Sequence, residues 1–393
     1  MRVATVVLFV AGCGRLGFGN RTSEDDGGSD APATSDAAID APIDANLGDP
    51  CTADVQCGRC ARCEQTCQPE PVVAMFVGHR STCYVGAGGV RWCTGENNDG
   101  QLGLGDVLDR STPTRSGDGG AWERINLFYY GRALAVRQGQ FFEWGNGTLA
   151  PIAIGPSRDV KATLGDLSRT CFWEADGTAT TCAGAGATVW RSLDYGAGHF
   201  CGVRASDRTL WCWGTSYSDA LGMTVADGTT IANATQVGTD TDWDHVGVGG
   251  KDAGPTGLVG VSCAMKTNGA IYCFGDPSLT GTNGTDVGAT PTQIGTGWTW
   301  VDVDWQHACA GKSDESVWCW GADTYGGYVV PGAMSAAVPT RIPGTYQRWL
   351  MGGHHACGLT NGMWRCMGWN GQGQLGDGTT SGTGELVDFC PAQ

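Results

Sequence analysis

The residues of this sequence whose spacing speaks most directly of chemistry are its 19 cysteines. Cys51, Cys57, Cys60, Cys63 and Cys67 crowd into one short stretch, and the last four follow C-x2-C-x2-C-x3-C. That spacing can hold an iron–sulfur cluster through four thiolates. It suits a small disulfide knot equally well. The cluster motif carries proline directly after its fourth cysteine, whereas Gln68 follows here and Pro69 comes one later. Twelve more cysteines fall in pairs: Cys83 with Cys93, Cys171 with Cys182, Cys201 with Cys212, Cys263 with Cys273, Cys309 with Cys319 and Cys357 with Cys366. None of these pairs has the close C-x2-C form of structural zinc sites, which argues against metal.

Histidines and carboxylates offer less. His199, His307 and His355 each stand two residues before a paired cysteine. Read as ligands or general bases they would have to converge; one position repeated along a chain spreads them apart, so a structural role is expected. His79 lies four residues before Cys83, out of that register, and His245 stands alone. Asp240-x-Asp242-x-Asp244 resembles the start of a calcium loop, yet His245 replaces the required glycine and Lys251 the closing glutamate. Asp194, Asp302 and Asp304 could serve as acid and base only as a pair with separated pKa values, and no such pair is visible in the sequence. No nucleophile elbow, phosphate loop or His-Glu-x-x-His occurs. No catalytic residue, cofactor or metal is therefore assigned.

The elements that position these residues come from a repeat. A Trp-Gly marker recurs as Thr94-Gly95, Trp144-Gly145, Ala183-Gly184, Trp213-Gly214, Phe274-Gly275, Trp320-Gly321 and Met367-Gly368. The mean spacing is about 45 residues, near the blade length of propeller repeats. Aromatic residues open the copies at Trp122, Trp190, Trp243, Trp300 and Trp349, leaving Trp298, Trp305 and Trp369 outside the regular positions. Short Val-, Trp- and Ile-rich runs alternate with Gly, Asn and Asp turns, and 65 glycines disfavour helices. Each copy reads as four short antiparallel strands; in the last these are 348–352, 356–359, 363–367 and 386–389. The paired cysteines then lie opposite one another on second and third strands, a geometry suited to disulfides. The second copy has no pair; Phe141-Phe142-Glu143-Trp144 fills its third strand.

The last copy, His354-His355-Ala356-Cys357-Gly358-Leu359, Trp364-Arg365-Cys366-Met367-Gly368-Trp369-Asn370 and Gly373-Gln374-Leu375-Gly376-Asp377-Gly378, resembles the regulator of chromosome condensation repeat. The first copy carries the same signature at Asn97-Asn98-Asp99-Gly100-Gln101-Leu102-Gly103. The resemblance covers roughly residues 72–389 and is degenerate in the middle copies. It implies an all-β, seven-bladed propeller of four-stranded antiparallel blades, and a structural use of the repeated histidines. Exported bacterial relatives include a beta-lactamase inhibitory protein that acts by protein contact.

The N-terminus points to export. Arg2 precedes an apolar run, Val3 to Gly12, too short to span a bilayer, which takes about 20 residues. It ends Val10-Ala11-Gly12-Cys13, which resembles a bacterial lipoprotein box and implies acylation of Cys13. An oxidising compartment then favours the disulfide knot over the iron–sulfur cluster. Net charge is −16 with only four lysines, which argues against nucleic acid and against charge docking on anionic lipid.

The expected organisation is a lipoprotein signal segment at 1–13 and a disordered acidic linker at 14–50. A cysteine-rich segment at 51–70 and the propeller at 71–393 follow. One cysteine, Cys390, is left over beside the five of the cluster, and a disulfide from Cys390 to Cys51, Cys57, Cys60, Cys63 or Cys67 is expected to shut the ring. The expected function is that of a monomeric, lipid-anchored extracytoplasmic scaffold on the outer membrane or cell surface. It binds a protein or glycan ligand, and the lipid is its one membrane contact. The longest insertion, around Lys251, Asp252 and Pro255, is the expected binding loop. The alternative is an extracytoplasmic lyase or glycosidase with acidic residues at the channel mouth. Nucleotide exchange on a GTPase follows from the family name alone and does not suit an exported protein.

Overall fold

The computed structural model describes residues 61–63, 67–69, 71–117, 119–120, 122–128, 131–154, 160–165, 170–252, 258–322 and 335–389. Cys13, Pro255, Cys390 and most of the N-terminal cysteine cluster lie outside these residues. Within the cluster only backbone is described: Ala61–Cys63 pairs with Cys67–Pro69, with Cys63 opposite Cys67.

No helix occurs among the described residues. Seven antiparallel sheets follow one another in chain order. Blade one is Val72–Val77, Ser81–Gly86, Arg91–Gly95 and Arg110–Arg115, and blade two is Trp122–Leu127, Arg132–Arg137, Gln140–Gly145 and Thr148–Ala153. Blade three has Val160–Gly165, Thr170–Glu174 and Ala179–Thr180. Blade four is Trp190–Gly196, His199–Arg204, Leu210–Thr215 and Thr230–Val237. Blade five is Trp243–Asp252, Leu258–Lys266, Ile271–Gly275 and Thr292–Gly295. Blade six is Trp298–Val303, His307–Lys312, Val317–Ala322 and Ser335–Arg341, and blade seven is Arg348–Met351, His355–Thr360, Met363–Gly368 and Thr383–Asp388.

The triplet Cys-Trp-Gly on the third strand explains how the blades stack. Successive strand residues face opposite sides. In blade four, Cys212 therefore faces blade five, packing with Val246 and Val248, while Trp213 faces blade three, packing with Leu164 and Trp173. Trp213 Nε1 donates to Ala183 O at 2.8 Å, and Trp144 Nε1 of blade two to Gln101 O of blade one at 2.7 Å. The glycine is a bulge. Every marker glycine has positive φ, from 85° at Gly184 to 123° at Gly321. Register in blades one, four, six and seven shifts between the third-strand cysteine and this glycine. A Cβ on Gly275 would stand 2.5 Å from Gly260 O, and one on Gly321 2.4 Å from Gln306 O. Only glycine fits both the dihedral and the gap.

Seven apolar clusters, one per blade junction, form the core. One joins blade seven (Leu350, Trp364, Phe389) to blade one (Met75, Tyr84, Trp92), so the ring closes. Among the described residues no strand is exchanged between the ends; each blade is built from consecutive strands.

The six expected disulfides are all present, with Cα separations of 4.1 to 4.6 Å. Five of them join directly opposed residues of a second and a third strand, as expected. Cys83 bonds Cys93 in blade one, Cys201 bonds Cys212 in blade four, and Cys263 bonds Cys273 in blade five. Cys309 bonds Cys319 in blade six, and Cys357 bonds Cys366 in blade seven. The sixth, Cys171 to Cys182 in blade three, does not follow this pattern.

Three expectations need correction. Blade three has three strands, because the chain between Gly184 and Trp190 is too short to run out and back as a fourth. For the same reason Cys182 lies beyond the end of Ala179–Thr180, not on a third strand. Trp298, not Trp300, opens blade six. Trp122, Trp190, Trp243 and Trp298 each pair with the basic residue ending the second strand, Arg137, Arg204, Lys266 and Lys312, immediately before a bulge.

Candidate functional site

First strands of neighbouring blades touch, as in the pairs of blades four and five, five and six, and seven and one. They line the axis, and the turns joining first to second strands surround one mouth of the channel. Three of these turns meet. The rings of His79 (blade one) and His354 (blade seven) are 4.4 Å apart, and Trp305 of blade six lies 5.0 Å from the first and 4.9 Å from the second. Blade six reaches blade one across blade seven only near the axis, so this knot sits at the mouth. Trp369 packs on His354 at 5.7 Å, with Arg80 over its ring at 5.1 Å. Sequence reading did not find this group. Its members are far apart in sequence, and the available signal was their shared place directly after first strands.

Blade five departs from its neighbours at the same mouth. Its first hairpin pairs from Trp243↔Lys266 to Asp252↔Leu258, whereas the hairpin of blade four ends at Gly196↔His199. The glycine series Gly247, Gly249 and Gly250 lets this hairpin lie tight against its neighbours. A Cβ on Gly249 would stand 2.2 Å from Asp304 O of blade six, and one on Gly250 2.5 Å from Ala197 Cβ of blade four. Leu258 packs with Ala197 and Tyr217, bracing the hairpin on blade four. The expected binding residues Lys251 and Asp252 are thus the last residues of a strand, opposite Val259 and Leu258, and not loop residues. Pro255 is outside the described residues.

Below this hairpin the first strands carry carboxyls. Asp194 and Asp302 hold one register position, opposite the second-strand cysteines Cys201 and Cys309; blade five, between them, has Gly247 there. Asp194 is 4% exposed, and its Oδ2 accepts the Val248 amide of blade five at 2.7 Å. Burial pushes its carboxyl well above the usual range, and Asp302 adds to this. Burial, with Asp304, raises Asp302 to about 7. Asp304 Oδ1 accepts the Trp305 amide at 2.6 Å. The sequence showed three acidic residues on or beside first strands but no converging pair; in the fold Asp302 helps to raise Asp194, while Asp302 itself is raised by burial and by Asp304. A carboxyl titrating near 7 can give or take a proton at neutral pH.

The repeated histidines are structural. His199 Nε2 lies 2.9 Å from Ser262 Oγ in the next blade, and His355 Nε2 2.7 Å from Thr82 Oγ1. For His307 the next blade offers Ala356, without a hydroxyl. His245 Nδ1 meets Ser192 Oγ at 3.0 Å. Burial holds His199 and His245 at about 4 and His355 at about 3, so all three are neutral. Asp240, Asp242 and Asp244 form ion pairs with Lys266, Arg191 and Arg208, not a calcium loop. All sixteen tryptophans are buried or half-buried, so none offers a flat exposed sugar platform.

No family model and no curated protein matches the chain. Among solved structures it is similar to yeast RCC1 (Prp20) bound by Kap60, at 13% identity over 81% of this chain and 74% of that one, TM-score 0.46. It is similar to human WBSCR16 at 14% identity over 83% and 85%, TM-score 0.45. For the ectodomain of the Physcomitrella patens receptor kinase CR4 the values are 18%, 76%, 74% and 0.47.

Proposed function

We propose that this RCC1-like seven-bladed β-propeller is a lipid-anchored extracytoplasmic binding scaffold whose protein partner seats on the mouth formed by the first-to-second strand turns. The observation carrying this reading is the long first hairpin of blade five, which extends past the neighbouring turns and is braced by Leu258 against Ala197 and Tyr217. A rigid blade presenting one irregular loop is the usual way a scaffold carries recognition. Six disulfides support an oxidising compartment. In this reading Cys13 is the anchor; labelled palmitate should enter the wild type and not Cys13→Ser.

The test replaces residues 251–259 by Asn-Gly, a two-residue turn that keeps the pairing of Gly250 with Gly260. Proximity labelling on intact cells should lose its main neighbour in this variant while the propeller stays folded, its melting temperature lowered only by the loss of the Leu258 brace. An unchanged set of neighbours would reject the assignment.

Asp302 supports a second reading, an extracytoplasmic lyase or glycosidase, because a carboxyl near pKa 7 suits general acid–base work. Turnover of a polysaccharide by the wild type and not by Asp302→Asn would favour it.

A further inference from the structure

The opposite face holds an open surface depression of about 660 Å³, a volume within the roughly 300–1,000 Å³ of small-molecule sites. Arg208, Asp242, Asp244, Lys266, Thr267 and Trp298 are among its lining residues. We propose that this depression is a binding site for a neutral saccharide.

Charge argues first. Lys266 Nζ lies 2.7 Å from Asp240 and 3.0 Å from Asp242. Asp244 Oδ1 receives Arg191 Nε at 3.0 Å, Arg191 Nη2 at 2.6 Å and Arg208 Nη1 at 3.0 Å. Three carboxylates and three cations neutralise one another, so an ionic ligand would enter without a counter-charge, which is costly. A polyhydroxyl ligand meets instead a dense set of donors and acceptors. Guanidinium N–H groups donate, carboxylate oxygens accept, and Thr241, Thr267 and Thr299 supply hydroxyls.

Rigidity argues second. The walls come from four chain segments tied by backbone hydrogen bonds. Trp243 N donates to Arg208 O at 3.1 Å, Thr267 N to Asp242 O at 2.8 Å, and Trp298 N to Gly269 O at 3.0 Å. Lys266 is held over the Trp243 and Tyr272 rings at 5.0 and 5.2 Å. Donors fixed before binding lose little freedom when a ligand arrives. Met265 and Trp298, both largely buried, form an apolar floor beneath these polar groups.

The experiment titrates the whole protein with glucose, galactose, mannose, N-acetylglucosamine and their disaccharides, followed by calorimetry or ligand-observed NMR. Glucuronate and glucosamine are the charged controls. Saturable millimolar binding to at least one neutral sugar is expected, with about tenfold weaker binding of the charged analogues. Thr267 is exposed on a turn, so Thr267→Trp fills the depression without touching an ion pair and should abolish binding. Asp244→Asn should weaken it about tenfold. Absence of saturable binding to every neutral sugar, tighter binding of a charged analogue, or full binding by Thr267→Trp would each overturn the proposal. The Asn-Gly hairpin variant should bind sugar normally, which separates this site from the partner face.

Discussion

His355 Nε2 of the last blade lies 2.7 Å from Thr82 Oγ1 of the first. Thr82 donates its own proton to Gln374 O at 2.8 Å, so it must accept from the imidazole N–H. The contact repeats between blades four and five, where Ser262 donates to Ala220 O and meets His199. At the closing junction it does more, because it ties the two ends of the chain. His355→Ala leaves a buried hydroxyl with one partner fewer and should cost about 1–3 kcal/mol. In a double-mutant cycle with Thr82→Ala the two losses should not add. Additive losses in urea unfolding would show that the pair contributes nothing jointly.

The half-buried carboxyl of Asp302, raised by desolvation and by Asp304, should make stability fall as pH rises. Its folded pKa, about 7, lies above the ordinary 3.8. A group raised on folding contributes stability below its unfolded value and loses it as pH climbs through the folded one. His355 acts in the opposite sense. Its folded value, about 3, lies below 6.5, so its contribution is present above 6.5 and is lost as pH falls toward 3. Asp302→Asn should therefore raise the melting temperature at pH 8 more than at pH 5. An equal gain at both would mean that Asp302 is ionised throughout.

How much of this was legible follows from distance along the chain. Cys212, Trp213 and Gly214 are adjacent, and each has a distinct physical task, so the repeat and its disulfides could be read directly. Trp298 and Trp300 could not be told apart, because a bulge between them breaks the period of two that would have ranked them. The missing fourth strand of blade three was countable from the gap between Gly184 and Trp190. The knot of His79, His354 and Trp305 was not readable, since it forms only when blades six, seven and one converge. Asp194 and Asp302 stood on recognisable strands, yet the influence of Asp302 on Asp194 crosses blade five, where the same register position is Gly247.

A marker glycine and a turn glycine give a controlled comparison. Gly275 has φ 112°, and a Cβ there would meet Gly260 O at 2.5 Å. Gly284 has φ 73° with nothing within 4 Å. Gly284→Ala should cost about 1 kcal/mol for the dihedral alone. Gly275→Ala adds a clash with backbone and should cost several times more or prevent folding. Equal unfolding midpoints would show that the bulge relaxes freely.

Reduction should distinguish one disulfide from the other five. Exchange requires a thiolate to reach a sulfur, so access governs which bond opens first. Ten of the twelve blade cysteines, in five pairs, are at most 1% exposed. Each of those pairs is also locked in register between two strands, as Cys83 is with Cys93, Cys201 with Cys212 and Cys309 with Cys319. Cys171 is equally buried, but its partner Cys182 is half-buried and follows the last paired residues, Ala179 and Thr180. No fourth strand covers it, because blade three has none. Under limiting dithiothreitol at neutral pH, Cys171 and Cys182 should be the first of the twelve to take up an alkylating label in mass mapping. The other five bonds should open only with global unfolding. Early labelling of Cys93, Cys201 or Cys319 instead would mean that the blade junctions open on their own, and that burial between blades does not protect the bonds.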